Sequence, residues 1–282
     1  MRNTSLHLLL AVILACLIST ASAQPTTLFV IGDTGDCEVV GTARVAAAVR
    51  AQPDAANGTL IEVGDLAYPT ATRERLLECH EPFWGGFKKR LAVPGNHDWR
   101  DAGAAGFFSL FPDPVPRKVA LGGPWQLILL DSNLRKEAWV AQLKWLDAAL
   151  AKSHGECLIA AWHHPRWSSG EHGDNSFTQP LWDRLQGKAA LTLHGHDHHF
   201  EALPPLDRNG NPATNGVASF IVGNGGAPLD SAGRQAQANR SVYGQWGFLR
   251  VELNGQEYRW QEIGADSVVK ESGHGTCRLR TD

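Results

Sequence analysis

The sequence predicts an α/β protein, and three observations carry that prediction. Short apolar runs rich in Val, Ile and Leu recur along the chain and read as buried strands. Helical patterns separate several of them, as alternating strands and helices require. Most runs end in residues able to bind or transform a ligand, and open α/β sheets bind ligands beyond the carboxyl ends of their strands.

The elements follow in chain order. Arg2, the apolar run Leu6–Ile18 and the small residues Ala21-Ser22-Ala23 read as a secretory signal cleaved after Ala23. The run is too short for a good membrane span, and lipoprotein processing at Cys16 is the second reading. Residues 24–282 are then expected to form one domain. Its strands are read at "TLFVIGD" (Thr27–Asp33), "TLIEVGD" (Thr59–Asp65), "RLAVPGNHD" (Arg90–Asp98), "QLILLDSN" (Gln126–Asn133), "CLIAAWHHP" (Cys157–Pro165) and "AALTLHGHDHH" (Ala189–His199). Helices are expected over Val39–Ala51, stopped before Pro53, and over Glu137–Ser153, where Trp139, Leu143, Leu146 and Leu150 share one face and Gly155 ends the run. Thr178–Gln186 is a shorter candidate. Further on, "GFLRVELNGQEYRWQEI" (Gly247–Ile263) is a hairpin turning at Asn254-Gly255. "SFIVGNGGA" (Ser219–Ala227) is another strand, expected like the hairpin to be antiparallel and added to the same core. Asp207–Gly216 and Asp230–Tyr243 read as polar loops.

With 282 residues, 43% hydrophobic and 20% charged, the chain can bury a sizeable core. A net charge of −3, or −4 without Arg2, provides no basic footprint for nucleic acid. Outside the signal stand Cys37, Cys79, Cys157 and Cys277, an even set that in an exported protein usually pairs. Three connectivities are possible, of which Cys37–Cys79 with Cys157–Cys277 is favoured. No CxxC occurs, which argues against a cysteine zinc site.

Five runs deliver Asp33, Asp65, Asn96-His97, His163-His164 and His196-x-His198 to what would be one sheet edge. Glycine precedes Asp33, Asp65, Asn96 and His196, where it lets the backbone turn and approach an ion closely. Together with Tyr68, two carboxylates, an amide, a phenol and several imidazoles suffice for two metal ions.

Taken in order, GD-x-G, GDLAY, GNHD, H-x-P and GHDH resemble the calcineurin-like metallophosphoesterases, and within them the purple acid phosphatases. The general pattern has a histidine two residues after the first aspartate, where this chain has Gly35. The purple branch has a tyrosine three residues after the second, where this chain has Tyr68. The resemblance runs from Leu28 to about Gly226 and is to the small, single-domain members. It implies a layered fold of central mixed sheets flanked by helices. It assigns Asp33, Tyr68 and His198 to a first metal and Asn96, His163 and His196 to a second, with Asp65 bridging. His97 would contact phosphate or protonate the leaving oxygen, and His172, nine residues after His163, would face the substrate. The metals implied are Fe(III) at the Tyr68 site and Fe(II), Zn(II) or Mn(II) beside it.

The chemistry suits these residue types. A phenolate is a hard ligand that favours a trivalent ion. One trivalent and one divalent ion outweigh Asp33, Asp65, the phenolate and a bridging hydroxide by about one charge, which favours a phosphate ester. Two metals can bind the ester, acidify water and stabilise the leaving oxygen. The expectation is a secreted or periplasmic phosphomonoesterase acting on small-molecule phosphate esters, by in-line attack of a metal-held hydroxide with His97 and His172 assisting. A phosphodiesterase or nucleotide pyrophosphatase would use the same site, since substrate choice lies in loops such as Arg100–Pro116 and Gly170–Pro180. An exported metal-binding protein without turnover is the alternative of another class, against which the intact His97 and His172 argue. No GxSxG supports a serine hydrolase.

Other polar residues read as structural. His164 supports the pocket or replaces His163. Asp36 belongs to a turn, and Asp98 orients His97 or a metal ligand. Asp131 sits at a strand end without a ligand role. Trp84, Trp99, Trp162 and Trp167 pack in the core or at its rim. His80, His154 and His274 are expected at the surface. His194 and His199 support the cluster, and Asp197 faces away from the metals.

Overall fold

The computed structural model describes residues 25–231 and 240–279; the signal segment 1–23, with Cys16, lies outside them. Two mixed sheets pack face to face with helices on their outer sides. The first contains β1 (Thr26–Ile31), β2 (Thr59–Glu62), β3 (Arg90–Ala92), β11 (Gly247–Asn254), β12 (Glu257–Gly264) and β13 (Val269–Thr276), in the order β13-β12-β11-β1-β2-β3. The second contains β4 (Arg117–Gly122), β5 (Trp125–Leu129), β6 (Cys157–Ala161), β7 (Ala189–His194), β8 (Phe200–Leu206), β9 (Val217–Val222) and β10 (Arg240–Val242), in the order β10-β8-β9-β7-β6-β5-β4. Every strand predicted from an apolar run is present.

Pleating divides each strand between two cores, because alternate side chains face opposite ways. Leu28 and Val30 of β1, Leu127 and Leu129 of β5, and Leu191 and Leu193 of β7 meet between the sheets. Phe29 and Ile31 face the other way, onto Val45 and Val49 of α1 (Gly41–Arg50). Ile128 and Leu158 face Leu146 and Leu150 of α6 (Lys136–Ala151) and Leu181 and Trp182 of α7 (Gln179–Leu185). This double coverage is why the strands read as continuous apolar runs. Each buried Leu or Ile contributes about 1.5–3 kcal/mol relative to exposure.

Some elements carry no amphipathic signal. Between β2 and β3 lie α2 (Arg73–Cys79) and α3 (Glu81–Trp84), and beyond β3 lie α4 (Asn96–Trp99) and α5 (Ala105–Leu110). Only α2 has a readable start, where the Thr72 hydroxyl accepts the Arg75 N–H at 3.3 Å. The hairpin turns where expected, with Asn254 opposite Glu257.

Two expectations need correction. Ser219–Ala227 was expected to be purely antiparallel, but β9 pairs in parallel with β7 and antiparallel only with β8. Strand β10 lies inside the expected Asp230–Tyr243 loop, recruited by pairing with β8. The favoured disulfides are both present. Cys37–Cys79 ties the loop after β1 to the end of α2, and Cys157–Cys277 ties the start of β6 to the segment after β13. Among the described residues, no helix is long and apolar enough to cross a membrane.

Candidate metal centre

Parallel pairing of β1 with β2 sets Ile31 opposite Glu62, so the turns after them emerge side by side. The Asp33 N–H donates to the Gly64 carbonyl and the Thr34 N–H to the Asp65 carbonyl, each at 3.0 Å. Asp33, Asp65 and His196 adopt left-handed backbone, with φ of 55°, 54° and 78°. Such conformations cost on the order of 1–3 kcal/mol each in non-glycine residues and gather at functional sites. The preceding glycines serve another need at two positions. A Cβ on Gly95 would lie 2.1 Å from Asp65 Oδ1, and one on Gly195 would lie 2.3 Å from Asp33 Oδ2.

The seven residues expected as ligands come together around Asp65. On one side the Tyr68 hydroxyl lies 2.9 Å from Asp33 Oδ1, 3.3 Å from Asp65 Oδ2 and 3.1 Å from His198 Nε2. On the other, His163 Nε2 lies 3.3 Å from Asp65 Oδ2 and 3.2 Å from Asn96 Oδ1, with the His196 ring centre 5.2 Å from that of His163. Donor atoms of Asp33, Asp65 and His163 all fall within 4.8 Å of one another.

Backbone carbonyls orient two of the imidazoles. His163 Nδ1 donates to Val63 O at 2.8 Å and His198 Nδ1 to Pro228 O at 2.6 Å. A carbonyl only accepts, so a neutral ring presents its bare Nε2 lone pair to the carboxylates. Lone pairs facing carboxylates repel unless a cation or proton lies between them. Protons fill that role without metal. Burial opposes the charge on His163, but Asp65 and Asp33 outweigh it and raise its pKa to about 10. Burial likewise opposes His198, and Asp33 raises its pKa to about 9. Burial and the same two aspartates push the Tyr68 phenol well above its ordinary value. Burial and the neighbouring imidazoles His163, His172 and His198 push His196 down to about 2. Among the described residues, the ion-pair partners of Asp33 and Asp65 are histidines, with no lysine or arginine. Hard oxygens, an amide and imidazoles whose protons a metal can replace, with no lysine or arginine paired to the aspartates in the described residues, together fit two metal ions.

The supporting residues divide as follows. Asp98 is fully buried and accepts from the N–H groups of Asp65 (2.9 Å), Gly95 (2.7 Å) and Leu66 (3.2 Å), so it fixes the Asp65 turn rather than the His97 ring. His97 donates from Nδ1 to Pro69 O at 2.7 Å and keeps Nε2 3.9 Å from Asp65 Oδ2. His172 is exposed and stacks on His196, with ring centres 4.3 Å apart. Asp197 points away from the centre, where it accepts the His172 N–H at 2.7 Å and the Ser168 hydroxyl at 2.5 Å. His164 turns to Ser132 Oγ at 2.7 Å, leaving His163 to face Asp65. His194 donates to Trp162 O at 2.9 Å, and His199 lies between Glu201 (3.4 Å) and Asp230 (3.7 Å). Asp36 caps its own turn by accepting the Glu38 N–H, and Asp131 accepts from Trp99 Nε1 at 2.9 Å. Trp84, Trp162 and Trp167 are core residues. His154 and His274 are exposed.

His80 is a correction. It was expected at the surface but is fully buried, with Nε2 2.7 Å from Glu62 Oε2 and Nδ1 3.0 Å from Thr34 Oγ1. Sequence reading also missed the carbonyls of Val63, Pro69 and Pro228, which orient His163, His97 and His198. Backbone groups carry no residue-type signal.

A family model for calcineurin-like phosphoesterases matches residues 26–200. No curated protein matches the sequence. Among solved structures, GAP50, described as the anchor in the inner membrane complex of Plasmodium, is 15% identical, with 91% of this chain and 90% of that one aligned at a TM-score of 0.74. Purple acid phosphatase PPD1 from yellow lupin (Lupinus luteus) seeds is 16% identical at a TM-score of 0.71 over 90% of this chain, which spans only 54% of the lupin protein. PhoD is 11% identical at a TM-score of 0.60, covering 89% and 68%. The chain belongs to the calcineurin-like phosphoesterases, a superfamily whose members hold a dinuclear metal site and generally hydrolyse phosphoesters.

Proposed function

We propose that this chain is an exported, dinuclear phosphomonoesterase of the purple acid phosphatase type, with residues 24–282 as a single catalytic domain. One observation carries the reading. Two groups of donors share Asp65, and among the described residues no lysine or arginine pairs with the aspartates, whose partners are imidazoles able to exchange a proton for a metal. Asp33, Tyr68 and His198 would hold one metal, Asn96, His163 and His196 the other, and Asp65 both. A buried phenol whose pKa is raised by two aspartates becomes a ligand only beside a highly charged ion, which supports Fe(III) at Tyr68, with Fe(II), Zn(II) or Mn(II) at the second position. When bound, the metals would hold the ester oxygens and acidify a water molecule. Two disulfides support export.

The protein's own groups manage the proton. His97 Nδ1 is engaged by Pro69, so Nε2 is the nitrogen that gives a proton to a departing oxygen. Burial lowers its pKa from 6.5, so turnover that depends on protonated His97 falls as pH rises through a value below 6.5. His172, stacked on His196 at the rim, faces the ester. The likeness of GAP50 over nearly its whole length favours a second reading, a non-catalytic anchoring role; His97 and His172 favour turnover.

The deciding experiment is a mono-, di- and pyrophosphate ester panel on protein of measured metal content. About two metals per chain and fastest cleavage of monoesters are expected, with visible colour lost in Tyr68→Phe. A single firmly bound zinc without turnover overturns the proposal. His97→Ala should lower turnover more than metal content and remove the fall that sets in below pH 6.5; equal loss of metal removes its catalytic role.

A further inference from the structure

Beside the metal centre lies an aromatic surface that the chemistry above does not use. Phe177 is 41% exposed and is the one aromatic ring among the large apolar side chains exposed in the described residues. It stands in the Gly170–Pro180 loop, which also carries His172. Its ring centre is 5.2 Å from that of His164, which in turn lies 4.4 Å from His196. His164 is therefore a shared wall between the ring and the metal ligands.

The Arg135 guanidinium covers Phe177 from another side, 5.2 Å from the ring centre, within the range of a cation–π contact. Nη1 of Arg135 donates to the carbonyls of Ser132 and Leu134, at 3.0 and 2.8 Å. Among the described residues no carboxylate lies within ion-pair distance of it, Asp131 feeling its charge only from further off, and Nε and Nη2 make no hydrogen bond there. An exposed ring and a flat, unpaired cation at the mouth of a phosphate site suit a planar group that stacks and accepts hydrogen bonds. A surface meant only to anchor the loop on His164 would need neither the exposed ring face nor the guanidinium.

We propose that Phe177 and Arg135 form a leaving-group subsite selecting phosphate monoesters whose alcohol carries a flat aromatic ring. The proposal rests on the phosphomonoesterase reading of the same centre. A matched pair isolates the ring: adenosine monophosphate and ribose phosphate, both esterified at the primary hydroxyl, present the same scissile bond. Stacking of a base on an aromatic side chain predicts a preference for adenosine monophosphate of about five- to a hundredfold in kcat/KM, expressed chiefly in KM. Phe177→Leu keeps an apolar contact with His164 but removes the stacking face, and should bring the ratio towards one. Arg135→Gln should narrow it in part.

Calorimetric titration of the metal-loaded protein with the same two esters reads the subsite without turnover. Tighter binding of adenosine monophosphate, lost in Phe177→Leu, supports the subsite even if neither ester is cleaved, an outcome that sinks the phosphomonoesterase reading alone. Equal kcat/KM and equal affinity for the two esters, or a ratio unchanged by Phe177→Leu, overturns the subsite while leaving the metal centre in place.

Discussion

Two buried carboxylate–imidazole contacts lie within a few residues of each other at the end of β2. Glu62 meets His80 at 2.7 Å, and Asp65 meets His163 at 3.3 Å. Their surroundings differ. Arg90 donates from Nε to Glu62 at 2.8 Å and extends the other arm of its guanidinium to Glu81, so the first contact is closed by a protein cation. Around Asp65 stand a second carboxylate, a phenol, an amide and more imidazoles, with no guanidinium or ammonium paired to them in the described residues. A buried carboxylate beside a histidine is therefore no metal signature by itself. What separates the metal candidate from the structural pair is the lack of a permanent cation such as Arg90, since the imidazoles around Asp65 carry only removable protons.

The largest effect should come from Asp65→Asn. Loss of the shared carboxylate should empty both metal positions and reduce turnover by about a thousandfold or more. The metal-free variant should be less heat-stable than the metal-free parent at neutral pH, since His163 loses the buried carboxylate that holds its proton. A variant that keeps both metals breaks the comparison.

Next comes Arg90→Met, which strands a buried carboxylate at a cost of about 3–5 kcal/mol, measured by denaturant unfolding. Adding Glu62→Gln should recover part of that loss, since the two sites are coupled. Metal content per folded chain should hold; metal loss without loss of stability would make the Glu62 contact part of the site.

The pH response is smaller and opposite in sign at the two contacts. Burial opposes ionisation of Glu62, but His80 and Arg90 outweigh it and hold its pKa below 4.5. Its contribution is present above 4.5 and is lost as pH falls through the lower, folded value. His163, raised from 6.5 to about 10 without metal, contributes fully below 6.5 and loses that contribution as pH rises towards 10. The metal-free protein should lose several degrees of Tm across that alkaline window. The metal-loaded protein should not, because a metal-held imidazole carries no such proton. Equal alkaline losses would mean that His163 does not bind metal.

The smallest effect is expected from Asp197→Asn, which weakens the support of the His172 backbone and should raise KM about threefold with little change in metal content.

The sequence exposed those parts of the site that depend on residue type at strand ends. Asp33, Asp65, Asn96 and His196 each follow a glycine at the end of an apolar run, so both place and chemistry were readable. His80 was not, because its partners Thr34, Glu62 and Arg90 come from other elements and nothing local marks their approach. The parallel pairing of β9 with β7 was hidden for a similar reason: strand order is set by packing between distant segments. The glycines before Asp33 and Asp65 were legible as turn residues, and Gly64 is indeed left-handed at φ 97°, but the left-handed backbone of the aspartates themselves was not. Local pattern favours glycine there, whereas hydrogen bonding between the paired turns holds the aspartates in that conformation.

Every candidate ligand lies between Asp33 and His198, yet β1, which presents Asp33, is flanked by a strand from the far end of the chain. Residues Thr26 to Val30 pair with Leu253 back to Leu249. A fragment cut after the last ligand would keep the whole chemical inventory and leave β1 as a bare edge, open to pairing with other chains. The smallest piece carrying the reaction is therefore not the smallest piece able to perform it. The motif set can be transplanted onto a complete two-sheet frame, but it cannot be excised as a free-standing module.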